Sequence, residues 1–447
     1  MPENLKISIS GIRGIVGETL TPDRVIGWVQ TWEESLPDGP IILARDARPH
    51  GRALNHLVTG ILECRGRKVL DAGLVPTPTV GIQIRTQGAA GGIMLTASHN
   101  PVEWNALKLF NGTGRILSED EFEQLEPLWT NPPPSEESPY KPGGSYQTIK
   151  DPLKDHLELI EAEVDCKRIA SRGLRVVVDG CRSVGGPALP NALRAAGVNV
   201  IEHDCEPDGQ FTRGLEPIPD NIQPLCDRVI AERAHLGMAT DPDADRLALV
   251  SEKGGAIGEE YTLVLAAESV LARGGKGLVT NVSSTHLLDK VAARYATPIY
   301  RSKVGESHVV DLLLETGSSI GGEGNGGVIF PRVHPGRDAL SGALLVIDLL
   351  AREDVTLSEK IATYPGAVMV KDKVPATEGF WDRIVSAEAE EWWEDATVDR
   401  LDGLKWIWED RWIHLRPSNT EPIIRILAEG PTKGDAQSLI EEVRKRI

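Results

Sequence analysis

The sequence predicts three mixed α/β domains in succession, followed by a smaller α+β domain. Three observations carry this reading. The chain has 447 residues, and at ~100–200 residues per domain that length suits three or four domains. Strand-like and helix-like segments alternate up to about residue 366, the pattern of a mostly parallel sheet covered by helices on both faces. Beyond that point strands follow one another without intervening helices, which suits an antiparallel α+β unit.

The elements follow in order. Ile41–Ala44 is a short apolar strand, and Arg52–Cys64 sets Leu54, Leu57, Val58, Ile61 and Leu62 at helical spacing. Lys68–Ala72 and Gly92–Leu95 read as strands. The pattern recurs as strand Leu174–Val178, helix Pro187–Ala196 and strand Val198–Glu202. It recurs again as helix Glu259–Arg273, strand Gly277–Val282, helix Thr285–Tyr295 and strand Pro298–Tyr300. Then come strand Val368–Val374, helix Gly379–Trp393, short strands around Leu404–Trp408, Trp412–Leu415 and Ile423–Leu427, and a last helix, Gly434–Ile447. The Pro-, Ser- and Gly-rich Thr130–Ser145 reads as a linker. The Lys253–Gly255 turn and Tyr364–Gly366 mark weaker breaks. The expected domains are 1–148, 149–252, 253–366 and 367–447.

Composition excludes several classes. A hydrophobic content of 40% and a charged content of 26% are ordinary for a globular protein. A formal net charge of −18 repels nucleic acid, so no DNA or RNA partner is expected. A phosphorylated substrate is repelled at long range too, so local arginines and a metal have to overcome the global field. Apolar runs such as Thr262–Ala272 fall short of the ~20 residues that span a bilayer. MPENLKISISGIRG lacks the features of a secretion signal. The expectation is a cytoplasmic protein with no membrane association. The five cysteines are scattered and odd in number, which argues against a disulfide framework or a zinc cluster.

Four loops carry chemistry. Leu95–Lys108, LTASHNPVEWNALK, follows a strand and so lies where α/β folds bind ligands. Ser98, with His99 beside it and Lys108 beyond, suits a phosphoryl acceptor, because cations and donors stabilise a phosphoserine. Residue types alone favour an ordinary turn, since Ser and Asn-Pro are turn formers. Asp241–Arg246, DPDADR, converges three carboxylates that repel one another unless a cation neutralises them. Oxygen ligands favour Mg2+ or Ca2+. An EF-hand is excluded, because its sixth position is Arg246 rather than Gly and a strand follows; a solvated acidic turn stays open. Arg246 itself could hold a phosphate oxygen.

Gly321–Gly327, GGEGNGG, allows close backbone approach, and Glu323 and Asn325 can hydrogen-bond sugar hydroxyls. It is not a P-loop, since no G-K-[ST] follows, and a plain connector stays open. Arg416–Arg425, RPSNTEPIIR, offers Ser418, Asn419 and Thr420 as short donors and two arginine forks, which suit a phosphate. A capped turn between two strands is the alternative. Together the four loops supply what phosphoryl transfer requires: positioning and charge stabilisation.

The motifs SGIRG (10–14), RDARPHG (45–51), VPTPTVG (75–81), TASHNP (96–101), DPDADR (241–246), GGEGNGG (321–327) and RPSNTEP (416–422) run the length of the chain. In this order they resemble the α-D-phosphohexomutase superfamily of phosphoglucomutases, phosphomannomutases and phosphoglucosamine mutases. The resemblance implies three similar α/β domains and a smaller α+β domain around a central active-site cleft. It implies that Ser98 is phosphorylated and ligates Mg2+ through its phosphate, with Asp241, Asp243 and Asp245 as the protein ligands. Glu323 and Asn325 would contact the sugar. Arg416, Ser418, Asn419, Thr420 and Arg425 would grip the non-reacting phosphate. Arg13, His99, Asn105, Lys108 and Arg246 would line the reacting end, and Lys303 would touch substrate.

Lys108 is the first candidate for proton transfer, with Arg246 or His99 behind it. A hexose 1,6-bisphosphate would serve as intermediate and activator, and the last domain would close over the substrate. The expected partner is a phosphorylated hexose or hexosamine, and the expected assembly a monomer or homodimer. Several positions depart from the family pattern: Pro242 and Ala106 replace Gly, Trp104 is bulky, and in the sugar loop Asn325 replaces Ser and Gly327 replaces His. The E-x-N pair resembles the sugar loop of acetylglucosamine-phosphate mutases and of archaeal-type phosphoglucosamine mutases, and the SGIRG start points the same way. They imply conversion of glucosamine 6-phosphate to glucosamine 1-phosphate. The alternatives are a phosphomannomutase/phosphoglucomutase, a non-catalytic sugar-phosphate-binding member, or a phosphatase using the same serine. Trp381, Trp392, Trp393, Trp406, Trp408 and Trp412 are expected in the last domain's core and edge, and His156, His203 and His235 as surface or packing residues.

Overall fold

The computed structural model describes residues 4–130, 140–376, 381, 384, 392–418 and 423–446. The expected helix over Gly379–Trp393 and the middle of the expected linker therefore lie largely outside the described residues. Four sheets succeed one another, of seven, four, five and five strands.

In the first sheet Ile41–Arg45 pairs in parallel with Lys68–Leu74 and Gly91–Leu95. Trp104–Asn111 then returns antiparallel along Gly91–Leu95, and Gly11–Ile15 and Leu5–Ser8 extend that edge. Ser145–Thr148 completes the other edge. The second sheet sets Leu236–Thr240 in parallel with Arg175–Asp179 and antiparallel with Leu247–Ser251. The third sets Ile320–Glu323 in parallel with Leu278–Asn281 and antiparallel with Gly327–Phe330. The fourth is antiparallel throughout, with Trp412–Pro417 and Ile423–Gly430 as neighbours. The helix Lys433–Arg446 packs on it.

The first three sheets are thus mixed: the second is parallel in two of its three pairs, and the first and third divide evenly between parallel and antiparallel pairs. Parallel neighbours need a crossover of a dozen or more residues, whereas a short loop returns a strand antiparallel. In each of these sheets a central strand runs into a chemistry-bearing loop and the next strand brings the chain straight back. In the fourth sheet Trp412–Pro417 likewise pairs antiparallel with Ile423–Gly430. The first three chemistry-bearing loops are therefore hairpin connections, each anchored on both sides by ladder hydrogen bonds.

Helices at Pro22–Glu34, Thr77–Gln87 and Ala339–Glu353 add to those expected. Thr77–Gln87 begins inside VPTPTVG, where proline in the first turn costs no helical hydrogen bond. Pro190 lies inside Gly185–Ala195, so that helix tolerates a proline the periodicity alone did not weigh. Trp406 and Trp412 are buried in the last domain, and Trp392 stacks on Trp406 at 5.3 Å between ring centroids. His156 is fully buried and bridges Thr79 Oγ1 at 2.9 Å and Asp338 Oδ2 at 3.0 Å, tying three domains together. No helix among the described residues is long and apolar enough to cross a membrane.

Candidate active site

The strand Gly91–Leu95 ends at the serine loop. Ser98 has φ 49°, a left-handed conformation that is uncommon for a residue with a side chain. Arg48 holds this loop: its guanidinium donates to the carbonyls of Ser98, Asn100 and Pro101 at 2.6 Å each and of Trp104 at 3.0 Å. Asp46 anchors the same guanidinium at 3.1 Å. The Ser98 hydroxyl donates to Asp241 Oδ2 at 2.7 Å and lies 3.3 Å from His99 Nδ1. The serine of the first domain therefore touches the carboxylate loop of the second.

Asp241, Asp243 and Asp245 each place an oxygen within 4.8 Å of the others, and all three are buried. Asp241 Oδ1 accepts from the backbone N–H groups of Asp245 and Arg246. Asp243 Oδ2 accepts from Thr77 Oγ1 and Lys108 Nζ, both at 2.6 Å. Asp245 Oδ2 accepts from Arg337 at 2.8 Å and Lys108 at 3.1 Å. The remaining oxygens, Oδ1 of Asp243 and Oδ1 of Asp245, are buried without a hydrogen-bond partner. Buried carboxylate oxygens left bare are costly, and a divalent cation with a preference for oxygen ligands removes that cost. The donor set thus fits Mg2+.

The charges agree with that fit. Burial, then the repulsion of Asp243 and Asp245, pushes the Asp241 carboxyl well above the usual range. Burial acts in the same direction on Asp245, but Arg337, Lys108 and Arg246 outweigh it and hold Asp245 low. Burial alone would lower Lys108, yet Asp243 and Asp245 raise it above its ordinary value, so it is a fixed ammonium. Burial, then the cations Arg246 and Arg13, lowers His99 to about 2, so its imidazole is neutral. Neither Lys108 nor His99 is matched to proton transfer near neutral pH; a negatively charged phosphate raises His99 toward it and holds Lys108 more firmly as an ammonium.

Above this floor lies a cavity of about 800 Å³ lined by residues of all four domains. Arg13, His99, Arg246, Glu323, Asn325, Arg416 and Arg425 line it together. Ser98, Lys108 and the aspartates sit beneath. Asn105 is fully buried, with its amide nitrogen on His50 Nδ1 and its oxygen on the Ala106 N–H, so it supports the loop without lining the cavity. Lys303 is exposed and the cavity is lined by its neighbour Val304. Ser418 donates its N–H to the Ile423 carbonyl at the base of the last hairpin. Asn419 and Thr420 lie outside the described residues.

Glu323 is buried between the Asn281 amide at 3.1 Å, the Gly305 N–H at 3.2 Å and Arg337 at 3.1 Å. On the fourth sheet Arg416 stands opposite Arg425, and Arg425 opposite Lys373, in one cross-strand row facing the cavity. Like charges directly opposite destabilise a sheet, and an anion such as phosphate offsets that.

Arg48, Arg337 and Lys373 are cations at this site to which the sequence reading gave no role. Arg48 lies in the RDARPHG motif, whose chemistry the residue types left open. Arg337 follows the sugar loop in a short strand that has no motif of its own. Lys373 could have been found from the alternation of Met369, Lys371 and Lys373, which puts all three on one face of a strand.

Comparison with known proteins gives the same picture for the whole chain. Residues 5–132, 154–255 and 258–366 match the models of phosphoglucomutase/phosphomannomutase alpha/beta/alpha domains I, II and III, and 378–446 match the C-terminal domain. The chain is 35% identical over 441 residues to a protein of Methanopyrus kandleri named "probable phosphoglucosamine mutase", covering 97% of this chain and 95% of that one. It is 34% identical over 442 residues to the phosphoglucomutase/phosphomannomutase of Thermococcus kodakarensis, covering 96% of each. The crystal structure of a phosphoglucomutase/phosphomannomutase family protein from Burkholderia thailandensis superposes with a TM-score of 0.84 at 27% identity, covering 98% of this chain and 97% of that one. With the four domain models matched in order and the serine, carboxylate and arginine loops meeting at one cavity, the chain belongs to the phosphoglucomutase/phosphomannomutase family of phosphohexomutases.

Proposed function

We propose that this enzyme interconverts glucosamine 6-phosphate and glucosamine 1-phosphate through a phosphorylated Ser98 and a bound bisphosphate. The observation that carries the reading is the Ser98 hydroxyl 2.7 Å from Asp241, beneath a cavity whose far wall bears the Lys373–Arg425–Arg416 row. One end of the cavity suits transfer and the other suits retention of a second phosphate.

Asp241, Asp243 and Asp245 would hold Mg2+ together with the Ser98 phosphoryl group; the ion would neutralise phosphoryl charge as it develops. Ser98 gives its phosphoryl to the sugar hydroxyl that reaches it, the Oγ–P bond breaking as the sugar O–P bond forms and the hydroxyl's proton passing to the freed serine oxygen, while the arginine row keeps the distal phosphate in place. Glu323 and Asn325 orient the ring hydroxyls. His99 and Lys108 flank the reacting hydroxyl, and a phosphate beside His99 raises its proton affinity against the two arginines. The bisphosphate then reorients and returns its other phosphate to Ser98. Release of the monophosphate restores the starting enzyme.

The amide of Asn325, which donates and accepts at once, supports an amino substituent at the second sugar carbon. The Methanopyrus relative's name points the same way. Phosphomannomutase/phosphoglucomutase activity is the second reading, favoured by the Thermococcus relative. A trace of hexose 1,6-bisphosphate is the expected activator. Divisions at 148, 252 and 366 are our proposal for the domain boundaries, and a cytoplasmic monomer or homodimer is our proposal for location and assembly.

The test is a coupled assay with Mg2+ and trace bisphosphate on glucosamine 1-phosphate, glucose 1-phosphate and mannose 1-phosphate, with Ser98→Ala as control. Turnover lost in the variant, fastest on glucosamine 1-phosphate, is expected. A folded, phosphorylated enzyme that turns over none of the three overturns the reading.

A further inference from the structure

Gly327 closes the sugar loop, and its backbone is not in the left-handed region. Conformation therefore does not demand glycine there. Space does. A Cβ at position 327 would lie 2.3 Å from Arg337 Cδ and 2.9 Å from Arg337 Cγ. The stem of Arg337 occupies the volume that a side chain at 327 would take.

From that position one guanidinium reaches two loops. Its Nη2 donates to Asp245 Oδ2 at 2.8 Å, its Nη1 donates to Glu323 Oε2 at 3.1 Å, and its Nε is ion-paired with Glu306 at 3.2 Å. Glu306 also accepts from the Arg337 backbone N–H at 2.8 Å, which fixes the root of the side chain. Arg337 and Lys108 occupy Oδ2 of Asp245, and Oδ1 of the same carboxylate accepts no hydrogen bond, with Arg246 Nε 4.0 Å away. Asp243 shows the same division, with Oδ2 held by Thr77 and Lys108 and Oδ1 bare. Holding one oxygen of a ligating carboxylate turns the other toward the ion.

We propose that Arg337 is a positioning residue for the metal and the sugar together, setting Asp245 and Glu323 with one guanidinium, and that position 327 lacks a side chain to make room for it. The sugar half rests on the mutase reading; the metal half does not. A lysine offers one nitrogen where the guanidinium directs two, Nη2 toward Asp245 and Nη1 toward Glu323, so Arg337→Lys keeps at most one of these two contacts in place.

The test is direct Mn2+ titration of the full-length unphosphorylated protein, followed by electron paramagnetic resonance of the unbound ion. Wild type, Arg337→Ala, Arg337→Lys, Gly327→Ala and the Gly327→Ala/Arg337→Ala double variant are compared. Arg337→Ala is expected to weaken Mn2+ binding about 10- to 100-fold, and Arg337→Lys to recover part of that. Gly327→Ala, which displaces the guanidinium, weakens binding alone but adds no further loss to Arg337→Ala. In steady-state kinetics the Arg337→Ala KM for sugar phosphate rises as well. Wild-type Mn2+ affinity in a folded Arg337→Ala, or additive losses in the double variant, overturns the proposal. If Arg337→Ala does not fold, wild-type affinity in folded Gly327→Ala overturns it equally. A wild type without mutase turnover, but with the Mn2+ losses, sinks the mutase reading and leaves the metal half standing.

Discussion

Arg48 donates to the Ser98 carbonyl at 2.6 Å across 50 residues of sequence. The same side chain collects three further carbonyls from the serine loop. This gives a physical account of how Ser98 keeps its left-handed backbone: a non-glycine residue there costs ~1–2 kcal/mol, and a buried guanidinium saturated by carbonyls outweighs it. A loop held this way keeps its serine in place whatever the state of the substrate.

Arg48→Met removes these donors while leaving the volume nearly filled. Each buried carbonyl left bare costs ~1–3 kcal/mol, so the loop is expected to relax out of the strained geometry. Turnover is expected to fall at least about 100-fold, with the far-UV spectrum unchanged. Wild-type kcat in this variant would show that the loop holds itself.

Lys373 completes the row with Arg425 and Arg416. A charge-assisted hydrogen bond to phosphate is worth ~1.5–3 kcal/mol. Lys373→Ala is therefore expected to raise KM by about tenfold or more and change kcat less, because the lost contact holds the non-reacting phosphate in ground and transition states alike. An unchanged KM would remove Lys373 from the substrate site.

Lys405 is buried where the last domain meets the third. It donates to the Val282 carbonyl at 2.6 Å and lies 4.0 Å from the Trp412 ring centroid. Burial, then the nearby Arg301, lowers it from 10.5 to about 7. A lysine whose folded value is depressed favours the folded state above its unfolded value, and loses that contribution as pH falls from about 10.5 through about 7. Between pH 7 and 9 the wild type should gain up to about 1.4 kcal/mol per pH unit over Lys405→Met. Parallel pH dependence of the two unfolding curves would refute this.

The bare oxygens of Asp243 and Asp245 predict metal-dependent stability. Mg2+ at 100 times its dissociation constant should stabilise the folded protein by ~2.7 kcal/mol. Chelation should lower the thermal midpoint, and Asp243→Asn should abolish the response. A midpoint indifferent to chelator would argue that the triad holds no divalent cation in the resting enzyme.

The structure gathers Ser98, the aspartate triad, Glu323, Asn325, Arg416 and Arg425 at one cavity and its floor, and the sequence singled them out because each belongs to a short contiguous segment whose composition suggests its chemistry. Asn105 has the same composition signal, but it is fully buried and does not line the cavity. The family resemblance left Gly327 as an unexplained departure, and the packing of Arg337 supplies the reason for it. The four-domain order and the four chemistry loops were thus determined by the sequence alone, since turn chemistry and hydrophobic periodicity act over a few residues. Which cations serve those loops was decided by tertiary structure. Arg48 and Arg337 reach their partners, and Lys373 its place beside Arg425, only through burial and strand register, and these exist only once distant segments have packed.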